Sequence, residues 1–192
     1  MQVAKSGFEE VGIMNNADTK KNADRILYGY GLLEKLKEFG VAHIIGSYRM
    51  NMMAWNDLDI DIENDTMSLE RLYELSAFIT RTFHPLWYEA KEETNVDGNK
   101  VWFHGFATEI IGELWNIDLW FFDKKTISDV ESYCDQIALH ASQIQKDIII
   151  SIKKDLIARE LYCIGQYTSM DVYKAVLENG VNNTDEFLAL FK

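Results

Sequence analysis

The chain has little of two residue types that mark particular protein classes. It contains 1 proline and 2 cysteines among 192 residues. The scarcity of proline is typical of a helix-rich protein with few rigid loops. Cys134 and Cys163 have no partner cysteines or histidine cluster nearby in the sequence. The sequence therefore predicts neither a disulfide framework nor a zinc site, and we interpret both cysteines as reduced and structural.

Long apolar runs are also missing. The N-terminal stretch MQVAKSGFEEVGIMNNADTKK lacks the apolar core of a signal peptide. No stretch approaches the roughly 18 consecutive apolar residues of a membrane span. We therefore expect a cytoplasmic protein with no membrane partner. Residues 1 to 14 are of mixed character and predict either a strand-like arm or a loosely held tail.

Basic residues are the third deficit. The chain has 19 lysines and arginines against 31 aspartates and glutamates, a formal net charge of -12. Proteins that bind extended nucleic acid neutralise phosphates with lysine and arginine, so this balance works against such a partner. A small molecule or a protein is the expected partner. The sequence does not indicate an oligomeric state.

What the chain does contain predicts an α/β fold with a mixed sheet flanked by helices. Its hydrophobic content of 47% is enough for a sizeable core. Apolar periodicity predicts a core over residues 1 to 125 and a C-terminal helical subdomain over residues 126 to 192. The predicted strands are 41–45, 57–62, 86–90, 101–111 and 115–122. The predicted helices are 16–39, 68–83, 126–162 with a break near Ala141, 170–178 and 184–191.

The most informative stretch is VAHIIGSYRMNMMAWNDLDIDI, residues 41 to 62. A short apolar strand ends there in a tight Gly46-Ser47 turn, and a second strand carries Asp57, Asp59 and Asp61 with period two. A strand would place all three carboxylates on one face, where they repel one another unless a cation lies between them. Carboxylate oxygens suit Mg²⁺, which is often held together with substrate phosphates.

A second acidic position lies downstream, in the strand that contains Trp115 to Phe122. Asp118 is the single acidic residue in this apolar and aromatic run. Burial of an uncompensated charge is unfavourable by several kcal/mol, so Asp118 needs a partner or a metal.

These residues resemble the nucleotidyltransferase superfamily, which includes DNA polymerase β, and in particular small uncharacterised bacterial members. The resemblance rests on a Gly-Ser turn followed after about ten residues by Asp-apolar-Asp, and on a downstream Trp-x-apolar-Asp-apolar-Trp pattern. The matching positions are Gly46, Ser47, Tyr48, Met53, Trp55, Asp57, Asp59 and Asp118, with Met52 in place of a leucine. The C-terminal helices extend the resemblance over most of the chain.

The resemblance implies roles for these positions. Gly46 and Ser47 would hold nucleotide phosphates, and Asp57, Asp59 and Asp118 would be the catalytic metal ligands. Residues 48 to 56 separate Ser47 from Asp57, and this spacing with the Trp55 landmark favours Asp57 and Asp59 over the alternative register Asp59 and Asp61. Arg49 is predicted either to contact a phosphate or to form a surface salt bridge.

The expected activity is transfer of a nucleoside monophosphate from a nucleoside triphosphate to a hydroxyl of a small molecule or protein, with two Mg²⁺ ions. A cationic antibiotic would suit the acidic chain only if the acidic residues line the cleft. The alternatives are a catalytically inactive nucleotide-binding or regulatory module and an antitoxin-like enzyme that modifies a partner protein. Basic residues on one helical stretch could neutralise triphosphate charge, although a solvated face is the favoured interpretation: Lys146, Lys153, Lys154 and Arg159.

Overall fold

The computed structural model describes residues 16–64, 66–95, 98–162 and 166–191. The arm or tail predicted for residues 1 to 14, and Cys163, lie outside these ranges. The strands are Ala42–Ile44 (β1), Asp57–Glu63 (β2), Trp87–Thr94 (β3), Lys100–Ile110 (β4) and Glu113–Phe122 (β5). The helices are Asn16–Asp24 (α1), Leu32–Leu36 (α2), Gly46–Arg49 (α3), Leu69–Phe83 (α4), Lys124–His140 (α5), Gln143–Ala158 (α6), Ser169–Asn179 (α7) and Thr184–Ala189 (α8).

The five strands form one mixed sheet in the order β1-β2-β5-β4-β3. β2 and β5 run parallel, and the other neighbouring pairs are antiparallel. The parallel pairing brings together two strands that are distant in sequence, with α4 and the β3-β4 hairpin between them. The predicted mixed sheet is confirmed, and this pairing is the one that positions the acidic residues.

One face of the sheet is apolar and packs against the first helices and α4. Leu58, Ile60 and Ile62 alternate along β2 and are fully buried there. Burial of each such side chain contributes roughly 1.5–3 kcal/mol relative to exposure. The alternation leaves the aspartates of the same strand on the opposite face.

A second apolar cluster joins α5, α6, α7 and α8. It includes Ile149, Ile152 and Leu156 of α6, and it also takes in Met50 and Met52, which follow α3. The C-terminal helices are therefore packed against the turn that precedes the acidic strand. The proposed boundary at residue 125 falls just inside α5, and the two-part division of the chain stays a prediction.

Two predicted elements differ from the structure in extent. The predicted helix over residues 16 to 39 is interrupted by a π-helical turn at Arg25–Gly29 and by Gly31, whose φ of 75° cannot continue a helix. The strand predicted to end at Ala90 extends to Thr94, which shortens the predicted hairpin turn. The predicted break near Ala141 is confirmed, because Ser142 caps α6 in a reciprocal pair of hydrogen bonds with Gln145.

No helix within the described ranges combines the length and the apolar character needed to cross a membrane.

Candidate active site

Three aspartates lie on the face of the sheet opposite the apolar core. Asp57 and Asp59 share this face because they are two residues apart on β2. The parallel register places Asp118 of β5 directly beside Asp59 and places Asn116 beside Asp57. The side chains of register partners point to the same face, so the three predicted ligands belong to one acidic surface. This proximity depends on strand pairing and not on their separation in the sequence.

The acidic surface is electrostatically unfavourable as it stands. Burial raises the pKa of Asp57 well above its usual range, and the charges of Asp59 and Asp118 raise it further, while Lys153 and a hydrogen bond with Trp55 oppose the rise. Burial, with the charges of Asp59 and Glu89, raises the pKa of Asp118 to about 6. The pKa of Asp59 is also raised by burial, an effect that Lys153 partly offsets. A cation bound at this surface would relieve the repulsion.

The donor set fits a hard divalent cation, although the site is not closed around one. Within the described ranges, no three histidine, cysteine, aspartate or glutamate side chains are grouped closely enough to hold a metal ion as they stand. The three aspartates share one face of β2 and β5, and carboxylate oxygens are the ligands that Mg²⁺ prefers.

Lys153 supplies positive charge beside Asp57 and Asp59. Its side chain comes from α6 and is only 2% exposed. The ammonium lies 4.2 Å from the centroid of the Trp55 ring and 3.3 Å from the Tyr173 hydroxyl oxygen. Burial lowers its pKa to about 8, and the two aspartates oppose this shift.

The solvated face expected for the four basic residues is therefore wrong for Lys153. Arg159 pairs with Asp155 and Asp185 near the surface, and Lys146 donates to the carbonyl oxygen of Ala138. The sequence held a signal that could have identified Lys153, since it lies four residues after Ile149 and three before Leu156 on the apolar face of α6.

The Gly46 turn lies directly against Asp59. The Ile45 N–H donates to the Asp59 carbonyl oxygen at 3.1 Å, which brings the start of α3 next to β2. Gly46 has a φ of 62°, and a Cβ at this position would collide with the carboxylate of Asp59. Glycine is required here for both reasons. The predicted tight turn is a one-turn helix in which Ser47 is buried.

Helix α5 packs close to the Gly46 turn. Burial raises the pKa of the Cys134 thiol on α5, and a backbone hydrogen bond with Gly46 opposes this rise. Ser47 and the backbone amides are the polar groups of the turn.

Arg49 forms a salt bridge, which was one of the two roles predicted for it. Its guanidinium contacts both carboxylate oxygens of Asp135, at 2.7 Å and 2.9 Å, and Glu131 at 2.6 Å. These contacts raise the pKa of Arg49 above its ordinary value. Arg49 therefore links α3 to α5. Binding of a phosphate by Arg49 would require its guanidinium to break the salt bridges with Asp135 and Glu131.

Asp61 lies on the same face of β2 as Asp57 and Asp59, two residues after Asp59. It is 1% exposed, and its Oδ2 atom has no hydrogen-bond partner. Its register neighbours are His43 on β1 and Trp120 on β5, so it has no acidic neighbour equivalent to Asp118. Burial and the charge of Asp59 raise its pKa to about 7, and His43 opposes this rise. The charge of Asp118 contributes to the raised pKa of Asp57 and is not among the causes of the shift at Asp61, and the register Asp57 and Asp59 stays the prediction.

Aromatic side chains enclose the Asp57 end of the site. The rings of Trp55 and Tyr162 meet edge to face with centroids 4.7 Å apart, and the Tyr162 hydroxyl bonds to Ser169 at 2.6 Å. The sequence motif marks only Trp55 in this region. Tyr162 and Tyr173 come from the segment after α6 and from α7, and no motif marks them. Their place here follows from the packing of the C-terminal helices.

Comparison with solved structures identifies the fold. A cytoplasmic RNA terminal U-transferase matches 83% of this chain at 13% identity, with a TM-score of 0.55. Cid1, described as an RNA terminal uridylyl transferase, matches 85% of this chain at 14% identity, with a TM-score of 0.58. The fold is of the nucleotidyltransferase type. The chain covers 47% of each of these structures, about half of their length.

No family model matches the sequence, and no curated protein matches it either. At 13% and 14% identity, the two solved structures establish the fold alone. The resemblance to small bacterial members stays a prediction.

Proposed function

We propose that this protein is a metal-dependent nucleotidyltransferase. The observation that carries the proposal is the register of β2 and β5, which places Asp59 beside Asp118 with Asp57 on the same face. This acidic surface lies next to the Gly46 turn in a fold of the nucleotidyltransferase type. Raised pKa values at all three aspartates are typical of a functional site.

The reaction forms a bond between an acceptor hydroxyl oxygen and the α-phosphorus of a nucleoside triphosphate. The bond from the α-phosphorus to the bridging oxygen breaks, pyrophosphate leaves, and the hydroxyl proton passes to solvent. Asp57, Asp59 and Asp118 would hold two Mg²⁺ ions, which when bound would activate the attacking oxygen and stabilise the leaving one. No side chain of the protein forms a covalent bond in this reaction.

The remaining side chains of the site would bind the donor nucleotide. Lys153, which lies close to Asp57 and Asp59, would contribute positive charge toward the triphosphate. Ser47 would contact the same phosphates from the α3 turn. Trp55 and Tyr162 offer aromatic surface beside Asp57, suited to the base or the ribose.

The proposed acceptor is a hydroxyl of a small molecule or a protein. The names of the two solved structures specify RNA as their acceptor. In this chain the formal charge of -12 opposes the approach of a polyphosphate strand. An antitoxin-like enzyme that modifies a partner protein is one form of this proposal.

A catalytically inactive nucleotide-binding module is the second candidate. The observation in its favour is that Lys153 supplies positive charge beside Asp57 and Asp59 and opposes the rise in their pKa values. In such a module Lys153 would bind a nucleotide with no cation. The two candidates thus differ in the metal dependence of nucleotide binding.

Calorimetric titration with each of the four nucleoside triphosphates, with and without Mg²⁺, separates them. We expect metal-dependent binding that both Asp57→Asn and Asp118→Asn weaken at least about tenfold, since each removes a charged ligand. Asp61→Asn is the matched control and should leave metal binding unchanged. Metal-independent binding that survives both substitutions would support the inactive module, and loss of binding in Asp61→Asn would support the register Asp59 and Asp61.

Release of pyrophosphate with labelled nucleotide transfer onto candidate small molecules, proteins and RNA then tests turnover. Transfer that Asp118→Asn abolishes supports the enzyme. Transfer to RNA alone would contradict the proposed acceptor class.

A further inference from the structure

Strand β3 is a free edge of the sheet. Within the described ranges its one strand neighbour is β4, and it stands last in the order β1-β2-β5-β4-β3. None of its eight residues is buried, whereas most residues of β4 are. The backbone groups along such an edge are available to a strand of another chain.

The hydrogen-bond pattern shows which backbone groups of β3 face outward. At the hairpin end of β3 and β4, the Asn95 N–H donates to the Asn99 carbonyl oxygen at 2.9 Å. Hydrogen-bonded pairs recur every second residue along an antiparallel ladder, so the odd-numbered residues of β3 bond to β4. The even-numbered residues direct their backbone N–H and C=O groups away from the sheet: Tyr88, Ala90, Glu92 and Thr94.

The charges along this edge match those of a second copy in one register. Antiparallel pairing about a two-fold axis requires outward residues to meet outward residues. An axis at Ala90 sets Glu89 opposite Lys91 of the second copy, and symmetry repeats this pair. An axis at Lys91 sets the two Lys91 side chains opposite each other and Glu89 opposite Glu93, while an axis at Glu92 sets the two Glu92 side chains opposite each other. Like charges directly opposite are destabilising, so only the axis at Ala90 avoids repulsion.

We propose that β3 pairs with β3 of a second copy of this chain, antiparallel about an axis at Ala90, to form a dimer with one continuous sheet. The two Ala90 residues exchange N–H···O=C bonds. Glu89 and Lys91 then form a pair without backbone bonds, in which side chains approach most closely. Directly opposite residues share a face, so the acidic surfaces of the two copies lie on the same side of the joint sheet. The inference does not depend on the transfer reaction.

The present contacts of Lys91 agree with this pairing. Its Nζ atom lies 3.0 Å from Glu89 and 2.6 Å from Glu93 of the same strand. Between 37% and 43% of each of these three side chains is exposed, so each has free surface for a group from the second copy. The same register brings Trp87, which is 37% exposed, against Glu93 of the second copy. Tryptophan is enriched in protein interfaces.

The net charge of -12 opposes association chiefly at long range. At about 0.15 M salt, exposed charges more than about 8 Å apart are largely screened. The Cβ atoms of directly opposite residues are only about 5 Å apart, so the reciprocal Glu89 and Lys91 pairs are screened less.

Sedimentation velocity of the full chain at about 0.15 M salt, over a series of protein concentrations, measures the oligomeric state. We expect a dimer whose share rises with concentration. Ala90→Pro should abolish it, because proline removes the N–H that donates across the axis and leaves the residues that bond to β4 unchanged. Ala90→Ser keeps this N–H and is the matched control, which should dimerise as the wild type does. Circular dichroism and thermal unfolding compare the folds of the two variants.

Charge reversals test the register without a change to the backbone. Glu89→Lys and Lys91→Glu should each weaken the dimer at least about tenfold, because each sets like charges directly opposite at two places. An equimolar mixture of these two variants should dimerise as the wild type does, since each then presents charges of opposite sign to the other at both positions. The double variant Glu89→Lys with Lys91→Glu should also recover the dimer.

Three results would overturn the inference. The first is a chain that stays monomeric at every concentration. The second is a dimer that Ala90→Pro leaves intact, because its interface would lie elsewhere. The third is a mixture of the charge variants that dimerises no better than either variant alone, because this would refute the axis at Ala90.

Discussion

Replacement of Lys153 by methionine should stabilise the protein while it weakens nucleotide binding. Lys153 is 2% exposed, and burial lowers its pKa from 10.5 to about 8 in spite of the nearby aspartates. This shift corresponds to about 3 kcal/mol of unfavourable free energy for a charged Lys153 in the folded state below pH 8. Methionine has a similar volume and no charge. Lys153→Met should therefore raise the free energy of unfolding by about 3 kcal/mol at neutral pH.

The expected gain depends on pH in a defined direction. Between pH 8 and 10.5 the unfolded chain holds the Lys153 proton while the folded protein has lost it, so the stability of the wild type rises with pH in this window. The difference between Lys153→Met and the wild type should thus shrink from about 3 kcal/mol near pH 7 toward zero above pH 10.5.

Denaturant unfolding at several pH values measures this difference, and thermal unfolding should show a rise of roughly 6–12 °C. Lys146→Met is the matched control, since Lys146 lies on the same helix but bonds to a backbone carbonyl. It should show no gain. A Lys153→Met variant less stable than the wild type would show that Lys153 is a structural ion-pair partner and would refute the reasoning. A purely structural role for Lys153 also predicts that Lys153→Met binds nucleotide as well as the wild type does.

Two further substitutions test the neighbours of the site. Asp61→Asn should add up to about 4 kcal/mol of stability at pH 8 and almost none at pH 4. The reason is that the pKa of Asp61 is raised from 3.8 to about 7, so the wild type loses stability as the pH rises between these two values. Equal gains in urea unfolding at both pH values would contradict the raised pKa. Gly46→Ala should abolish nucleotide binding in calorimetry and destabilise the fold by more than Gly31→Ala, for which about 1 kcal/mol of left-handed strain is expected. Both glycines have a positive φ, but an added Cβ meets the Asp59 carboxylate only at Gly46 and open space at Gly31. Similar losses in the two variants would show that the turn need not approach Asp59.

Much of the fold could be predicted from local patterns. The alternation in β2 predicts a strand with one acidic and one apolar face, and the apolar periodicity of α4 predicts its end near Phe83. These patterns are local because each depends on side-chain direction within a single element. The N-terminal helix was less predictable. Its apolar spacing is helical throughout, and only the left-handed Gly31 and the packing of the segment on the sheet divide it.

The candidate site was only partly predictable. Asp57, Asp59 and Asp118 carry a signal because aspartate is unusual in a strand, particularly in an apolar one. Lys153 carries only a weaker signal, its position on the apolar face of α6, and Tyr162 and Tyr173 carry none. A lysine in an amphipathic helix is normally solvated, and a tyrosine near the end of a helix is normally part of the packing.

The sequence by itself determined which residues are acidic and on which face of its own strand each one lies, because the side-chain period of a strand is fixed by backbone geometry. Only the tertiary structure decided that β2 pairs in parallel with β5, which sets Asp59 beside Asp118. It also decided that α6 directs Lys153 inward toward Asp57, and that Arg49 pairs with α5. These outcomes depend on contacts between segments far apart in the chain, and such contacts leave no periodic trace in any one segment.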